Sequence, residues 1–249
     1  MKPIFICDRI DLATLTASAG SDASYPLTNL KDGRYATQWK SGATTQNQTL
    51  TITHQSIMSP DCILIVNHNF NTLGLTSLEL QNDAGSLKTI ASFPSVIFET
   101  ISTFNESFLL LKFNKGSALS AIPAVGMIFI GSQVELPGII NNPKKGFATV
   151  TDLDESLSAL TFATQVTDGK YTRKFTLDGL TSAEETDFIR LLNTISNRLH
   201  PFFLRDTDGN WNFVRLGQDA VDWSQWSKVK SFPQELLFVG ELPGVQFIV

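Results

Sequence analysis

Residues 29–41 read Asn-Leu-Lys-Asp-Gly-Arg-Tyr-Ala-Thr-Gln-Trp-Lys-Ser and carry more structural information than any other part of the chain. Asp32-Gly33 is a turn signal, because Gly accepts backbone angles that other residues avoid and Asp bonds to nearby backbone. A short polar link then leads to Trp39, whose ring buries about 150–250 Å² when it packs into a core. The spacing predicts a loop that delivers Trp39 to the interior of a domain.

The composition predicts a folded protein rich in β-strands. The chain has 249 residues, of which 42% are apolar and 17% are charged, and 18 of them are Phe. This length allows one large or two ordinary domains. Phe, Val and Thr favour the half-buried surface of a pleated strand, so the expected fold class is mainly β.

The charge and the apolar runs exclude several classes of partner. A net charge of −5 without a basic stripe disfavours nucleic-acid binding. The apolar runs are too short for a membrane span, so we expect no membrane insertion. The N-terminus lacks the apolar length of a signal peptide, which predicts synthesis in the cytoplasm. Cys7 and Cys62 lack metal-ligand spacing and are expected to be buried thiols.

The first half of the chain predicts a β-sandwich or jelly roll over residues 1–138. Its short strand-like runs are separated by turn signals at sandwich spacing, and 82–86 is a hairpin signal. The expected strands are 12–17, 49–53, 62–66, 77–80, 95–98, 108–113 and 126–130. Pro, Gly, Asn and Lys then concentrate in 139–146, which is typical of a linker.

The second half, 147–249, predicts a β domain with one amphipathic helix at about 181–199. Thr181 and Glu184 have capping-box spacing, and five apolar residues fall on one helical face. Pro201 ends the helix, because the residue before a proline disfavours the helical conformation. The expected strands are 147–151, 159–167, 170–178, 202–204, 212–216 and 234–239, of which 159–167 and 170–178 are joined at Asp168-Gly169. Asp-Gly within 206–210 predicts a hairpin turn rather than a calcium loop.

Catalytic signatures are absent from the sequence. The three histidines, His54, His68 and His200, have no partner at metal-ligand spacing. The chain has neither a Gly-x-Ser-x-Gly elbow nor a phosphate-binding glycine loop. We therefore expect a protein that is not an enzyme, without catalytic or cofactor-binding residues.

Two groups of residues are candidates for a contact with glycan or a protein partner. Asn67, His68 and Asn69 follow an apolar run, where they can bind sugar hydroxyls or satisfy backbone groups at a strand end. Trp223 and Trp226 lie three positions apart in a polar segment, as interface residues do, although packing onto the helix is an equal alternative.

The Asn-Leu-x-Asp-Gly…Thr-x-Trp pattern of residues 29–39 resembles the corresponding loop of discoidin-like (galactose-binding-like) β-sandwiches. The resemblance implies a binding domain, with Asp32 as a weak candidate ligand of a structural calcium ion. The alternative is that Asp32 only closes its turn through a bond to its own backbone.

The second half resembles, in the order 174–180, 181–199 and 201–204, the split-barrel domain of phage tail-tube and distal-tail proteins. That resemblance implies a non-enzymatic structural subunit of a phage tail tip, found in the virion. Its C-terminal domain would form a homo-oligomeric ring, and its sandwich would contact other tail proteins or host glycan. In that family the sandwich usually follows the ring domain, whereas here it precedes it. The alternative function is a soluble carbohydrate-binding, lectin-like module.

Overall fold

A computed structural model describes residues 4–6, 13–32, 36–58, 60–102, 106–131, 133–135, 139–148, 151–155, 161–165, 170–177, 182–183, 186, 189, 202–205, 209, 211–216 and 234–240. Its strands, in chain order, are β1 (Ile4–Ile6), β2 (Thr14–Ala17), β3 (Trp39–Lys40), β4 (Thr49–Met58), β5 (Cys62–His68), β6 (Ser77–Asn82), β7 (Gly85–Ile90), β8 (Val96–Thr100), β9 (Glu106–Asn114), β10 (Ala124–Gly131), β11 (Gln133–Glu135), β12 (Ile139–Ala148), β13 (Thr151–Glu155), β14 (Thr161–Gln165), β15 (Lys170–Leu177), β16 (Phe202–Arg205), β17 (Trp211–Leu216) and β18 (Gln234–Gly240). A 3-10 helix spans Leu27–Leu30, and helix α1 spans Phe70–Leu73.

The chain divides into two compact units, which we call the sandwich unit (Ile6–Gln133) and the C-terminal unit (Val134–Ile248 with Met1–Phe5). The prediction of a mainly β protein with an N-terminal sandwich is confirmed. No described helix combines the length and the hydropathy that crossing a membrane requires.

The sandwich unit consists of a four-stranded sheet, β3-β10-β5-β8, and a five-stranded sheet, β2-β4-β9-β6-β7, with antiparallel neighbours throughout. In β4, buried Leu50 and Ile52 alternate with more exposed threonines, as a half-buried strand requires. All of β10 is buried, which explains its continuous apolar sequence. Side chains from both sheets form one hydrophobic core.

Turn chemistry sets the register of the β6–β7 hairpin. Asn82 pairs with Gly85, whose φ of 128° is readily adopted only by glycine. The Asn82 side chain accepts a hydrogen bond from the Ala84 backbone amide at 3.1 Å. The hairpin predicted at 82–86 is confirmed.

The C-terminal unit contains an open seven-stranded sheet in the order β11-β1-β16-β17-β18-β15-β12, so its described strands do not close a barrel. Strands β16 and β17 form the predicted hairpin, with Gly209 at a φ of 91°. Strand β14 pairs with β13 rather than with β15. Residues 182, 183, 186 and 189 are helical and exposed, whereas the predicted cap and apolar face of this helix lie outside the described residues.

The expected linker, 139–146, is part of strand β12 and pairs with β15. This corrects the sequence prediction. The register shifts between Ile140 and Lys144, and Pro143 lies within that irregular stretch. Among the described strands, β12 also ends the order of the sheet, and Pro and Lys are tolerated at such an edge.

Candidate binding surface at the loop end of the sandwich unit

Strand β3 separates an inward aromatic residue from an outward cation. Successive side chains of a strand point to opposite faces. Trp39 is 1% exposed, and its Nε1 donates to Ser21 Oγ at 2.9 Å, which satisfies the buried indole N–H. Lys40 faces the other way, with its Nζ 3.6 Å from the centroid of the Tyr25 ring. The prediction that Trp39 belongs to the core is confirmed.

The loop that carries Tyr25 is held against β3 by backbone hydrogen bonds. The Lys40 amide donates to the Tyr25 carbonyl at 3.1 Å, and the Asp22 amide donates to the Lys40 carbonyl at 3.0 Å. Asp22 Oδ1 accepts from the Ser24 amide at 2.8 Å, which forms an Asx turn just before the aromatic residue. Tyr25 remains 37% exposed. The structure therefore fixes the backbone beneath this ring while the ring stays open to solvent.

Asn69 supports the loops at the end of the sandwich unit that also carries Tyr25 and β3. Its Nδ2 donates to the Ile122 carbonyl at 2.8 Å, and its Oδ1 accepts from the Ala124 amide at 2.9 Å. Both ends of the side-chain amide therefore bond to the segment that enters β10.

His68 is similarly engaged through both ring nitrogens. The Phe70 amide donates to Nδ1 at 3.3 Å, which leaves the proton on Nε2 to donate to the Pro94 carbonyl at 2.9 Å. The ring also stacks on Phe70, with a centroid distance of 4.3 Å. Burial lowers the pKa of His68 from its ordinary value of 6.5, and the hydrogen bond to Pro94 acts in the opposite direction.

Asn67 connects the motif of residues 29–41 to the end of β5. Gln38 Nε2 donates to Asn67 Oδ1 at 2.9 Å, and Asn29 Nδ2 donates to the Gln38 carbonyl at 2.8 Å. Asn67 has a φ of 54°. Its side chain occupies the space beside Gly126, where an added Cβ would lie 2.7 Å from Asn67 Nδ2. This contact explains why a glycine stands inside β10.

Asp32 bonds to a side chain of its own loop. Thr37 Oγ1 lies 2.9 Å from Oδ1 and 2.8 Å from Oδ2 of Asp32. Calcium takes about 6–8 oxygen ligands. In the described part of the chain, no three or more His, Cys, Asp or Glu side chains group closely enough to hold a metal ion. Thr37 therefore engages the Asp32 carboxylate within the described part of this loop, and a role of Asp32 as a calcium ligand stays a prediction.

The loops next to β3 and α1 complete the loop end. The Ser41 amide donates to the Pro123 carbonyl at 2.9 Å, which places Ile122 near β3, and Ile122 is 41% exposed. Lys115 Nζ donates to the Leu73 carbonyl at 3.1 Å and to Ser120 Oγ at 2.8 Å, at the end of α1. Within the described sandwich unit, Tyr25 and Ile122 are the exposed large hydrophobic residues.

The structure brings Asn67, His68 and Asn69 to this loop end but uses their polar atoms to support it. Trp223 and Trp226 lie outside the described residues, as does Cys7, while Cys62 is a buried thiol in β5. Sequence reasoning missed Tyr25. The available signal was a lone aromatic residue before a proline in the polar, glycine-containing loop 18–26.

Comparison with protein-family models and with curated proteins finds no match for this chain. Among solved structures, it is similar to a selenomethionine-labelled mutant of chitosan-binding module 1 from the chitosanase/glucanase of Paenibacillus sp. IK-5, with 15% identity over 50% of this chain and 98% of that one, and a TM-score of 0.42. The family 32 CBM of C. perfringens NanJ, in complex with galactose, has 14% identity, coverage of 51% and 98%, and a TM-score of 0.42. The lectin domain of lectinolysin, complexed with Lewis B antigen, has 9% identity, coverage of 49% and 95%, and a TM-score of 0.41. Similarity at this level assigns no family to the chain.

Proposed function

We propose that this chain is a non-enzymatic binding protein that holds a carbohydrate at the loop end of its sandwich unit, against Tyr25. One observation carries the proposal. The ring of Tyr25 is exposed although hydrogen bonds fix the loop on both sides of it. A Tyr side chain on a fixed backbone binds at a low cost in conformational entropy, because only its few side-chain angles remain to be ordered.

The surroundings of Tyr25 suit a sugar better than a large protein interface. A sugar ring offers apolar C–H groups on its faces and hydroxyl groups at its edges. Tyr25 can cover the C–H groups, and the neighbouring loops expose short side chains that donate and accept hydrogen bonds. The exposed polar residues in the loops at this end of the sandwich unit include Ser24, Thr44, Thr45, Gln46 and Asn71.

A glycan array followed by titration calorimetry tests the proposal. Wild type should bind at least one class of glycan, and Tyr25→Ala should weaken that binding by tenfold or more, about 1.4 kcal/mol. Tyr25→Phe retains the ring and should bind nearly as wild type does. Thr89→Ala, an exposed change on β7, is the matched control for a surface substitution. Failure of wild type to bind any glycan would overturn the proposal.

The non-enzymatic part of the proposal has its own test. Glycans that bind should be recovered unchanged after prolonged incubation with the protein. Turnover of a bound glycan that is lost when a single acidic side chain is replaced would contradict it.

A structural subunit of a phage tail, made in the host cytoplasm and carried in the virion, is the second candidate function. The order of elements favours it, because β15, the helical residues 182, 183, 186 and 189 and the β16–β17 hairpin follow one another as the split-barrel resemblance implies. Under this proposal the C-terminal unit forms a homo-oligomeric ring that contacts other tail proteins. A mass measurement and electron micrographs of the purified chain test it, and a strict monomer at micromolar concentration contradicts it.

A further inference from the structure

We infer that the Tyr25 surface selects sugars that carry a carboxylate, with Lys40 as the residue that recognises the charge. This inference rests on the proposed carbohydrate binding and adds the chemical class of the ligand. The observation behind it is the placement of Lys40 Nζ 3.6 Å from the centroid of the exposed Tyr25 ring.

Lys40 forms no ion pair with an acidic side chain in the described part of the chain. The ion pairs between described side chains join Lys88 to Glu99 and Lys112 to Glu79, and neither includes Lys40. The acidic residue nearest in the loop, Asp22, uses Oδ1 to accept from the Ser24 amide. An ammonium group over an aromatic face keeps part of its hydrogen-bonding capacity, because the ring provides no hydrogen-bond acceptor oxygen.

The position of Lys40 restricts where its charge can act. Its backbone is held on both sides, by the bonds to Tyr25 and Asp22 and by pairing with Ala124 in β10. The side chain is half-buried, so its carbon stem lies along the protein while the ammonium group reaches the ring. The ammonium group covers one face of the Tyr25 ring, so a sugar packs against the exposed remainder of the ring, and a substituent that reaches past the ring edge meets this cation. A carboxylate there pairs with the ammonium group so that donor and acceptor are both charged, whereas a neutral hydroxymethyl group offers only an uncharged acceptor.

A second cation lies at the same loop end but is engaged differently. Lys115 Nζ donates to the Leu73 carbonyl and to Ser120 Oγ, which leaves it less available to a ligand. Lys115→Gln is therefore a suitable control, since it removes one positive charge from the same end of the sandwich unit without touching Tyr25. The chain as a whole carries a net charge of −5, so general attraction of anions does not account for a preference at this surface.

Paired ligands test the inference, namely an oligogalacturonate and sialyllactose, each compared with its own methyl ester. The ester keeps the stereochemistry of the sugar and removes only the charge. Wild type should bind the acid form about three- to tenfold more tightly than the ester, and the preference should shrink at high salt. Lys40→Gln should weaken binding of the acid form more than binding of the ester, and so remove most of the preference. Lys40→Arg should keep the preference, and Lys115→Gln should change it little.

The outcomes separate this inference from the proposed function. Equal binding of acid and ester, or equal weakening of both by Lys40→Gln, overturns the charge selection while carbohydrate binding stands. Failure of wild type to bind either form of these sugars, or any other glycan, overturns both. A loss of preference in Lys115→Gln that matches the loss in Lys40→Gln also contradicts the inference, because the effect would then be one of general charge.

Discussion

Two sets of side chains at the loop end of the sandwich unit differ in what they contact. The inward set consists of Trp39, His68 and Asn69. Their polar side-chain atoms form hydrogen bonds to Ser21 and to backbone groups of neighbouring loops. Tyr25 and Lys40 form the outward pair and contact each other, with Tyr25 exposed and Lys40 half-buried. Both sets are aromatic and polar, so residue type does not separate them. Only the outward pair retains surface and charge that a ligand can use.

Replacement of Trp39 should have the greatest effect on the inward set. Trp39→Ala removes a large buried ring and should lower the free energy of unfolding by about 3–5 kcal/mol. Urea denaturation of the full chain, followed by circular dichroism, measures this change. Trp39→Phe should cost less, because it keeps most of the packing and loses the bond to Ser21 Oγ. A loss below about 1 kcal/mol in Trp39→Ala would show that the inward set does not support the fold.

Asn69 should show the next effect. Asn69→Ala leaves the Ala124 amide and the Ile122 carbonyl without their side-chain partner, and should lower the free energy of unfolding by about 1–2 kcal/mol. Asn69→Asp keeps an acceptor for the Ala124 amide but places its other carboxylate oxygen against the Ile122 carbonyl, so it should cost at least as much as Asn69→Ala. The same denaturation experiment compares the two variants. Wild-type stability in Asn69→Asp would contradict the donor role assigned to Nδ2.

His68 should make the sandwich unit less stable in acid. Its folded-state pKa is lowered by burial, so the unfolded chain takes up a proton first as the pH falls through about 6.5. The free energy of unfolding therefore decreases from that pH downward until the folded-state pKa is reached. Protonation also removes the acceptor that Nδ1 offers to the Phe70 amide. Denaturation of wild type and His68→Gln between about pH 8 and pH 5 measures the difference. An unchanged pH dependence in His68→Gln would contradict this.

Tyr25 should show the smallest effect on stability. Tyr25→Ala removes an exposed ring and one cation–π contact, and should change the free energy of unfolding by less than about 1 kcal/mol. The same variant should lose carbohydrate binding. A loss of stability comparable to that of Trp39→Ala would place Tyr25 in the inward set and remove it as a binding residue.

The regular strands of the sandwich unit could be predicted because their signals are local. Alternation of Leu50 and Ile52 with threonine marked β4, and the turn residues marked the hairpin between β6 and β7. The strand over 139–146 was missed, because its Pro, Gly and Asn content suggests a linker unless its edge position is known. The pairing of β14 with β13 was also missed, because the sequence of a short strand does not indicate which other strand it pairs with.

The candidate site could be predicted only in part. The trio Asn67, His68 and Asn69 was correctly placed near the end of an apolar strand, with backbone support as one of its two interpretations. Tyr25 was missed, because a single aromatic residue in a loop has no periodic pattern to mark it. The contact role of Trp223 and Trp226 stays a prediction, because both residues lie outside the described part of the chain.

From the amino acids alone follow the strand periodicity, the turns at Asn82–Gly85 and 206–210, and the burial of Trp39, because each depends on residues close in the chain. The tertiary structure decides which polar groups already have a hydrogen-bond partner within the protein. Asn69 donates a hydrogen bond to Ile122, and Lys40 makes a cation–π contact with Tyr25, although neither pair is adjacent in the sequence. Local spacing does not encode such contacts. The tertiary structure therefore decides that the Tyr25 ring is exposed and that the indole N–H of Trp39 is hydrogen-bonded to Ser21.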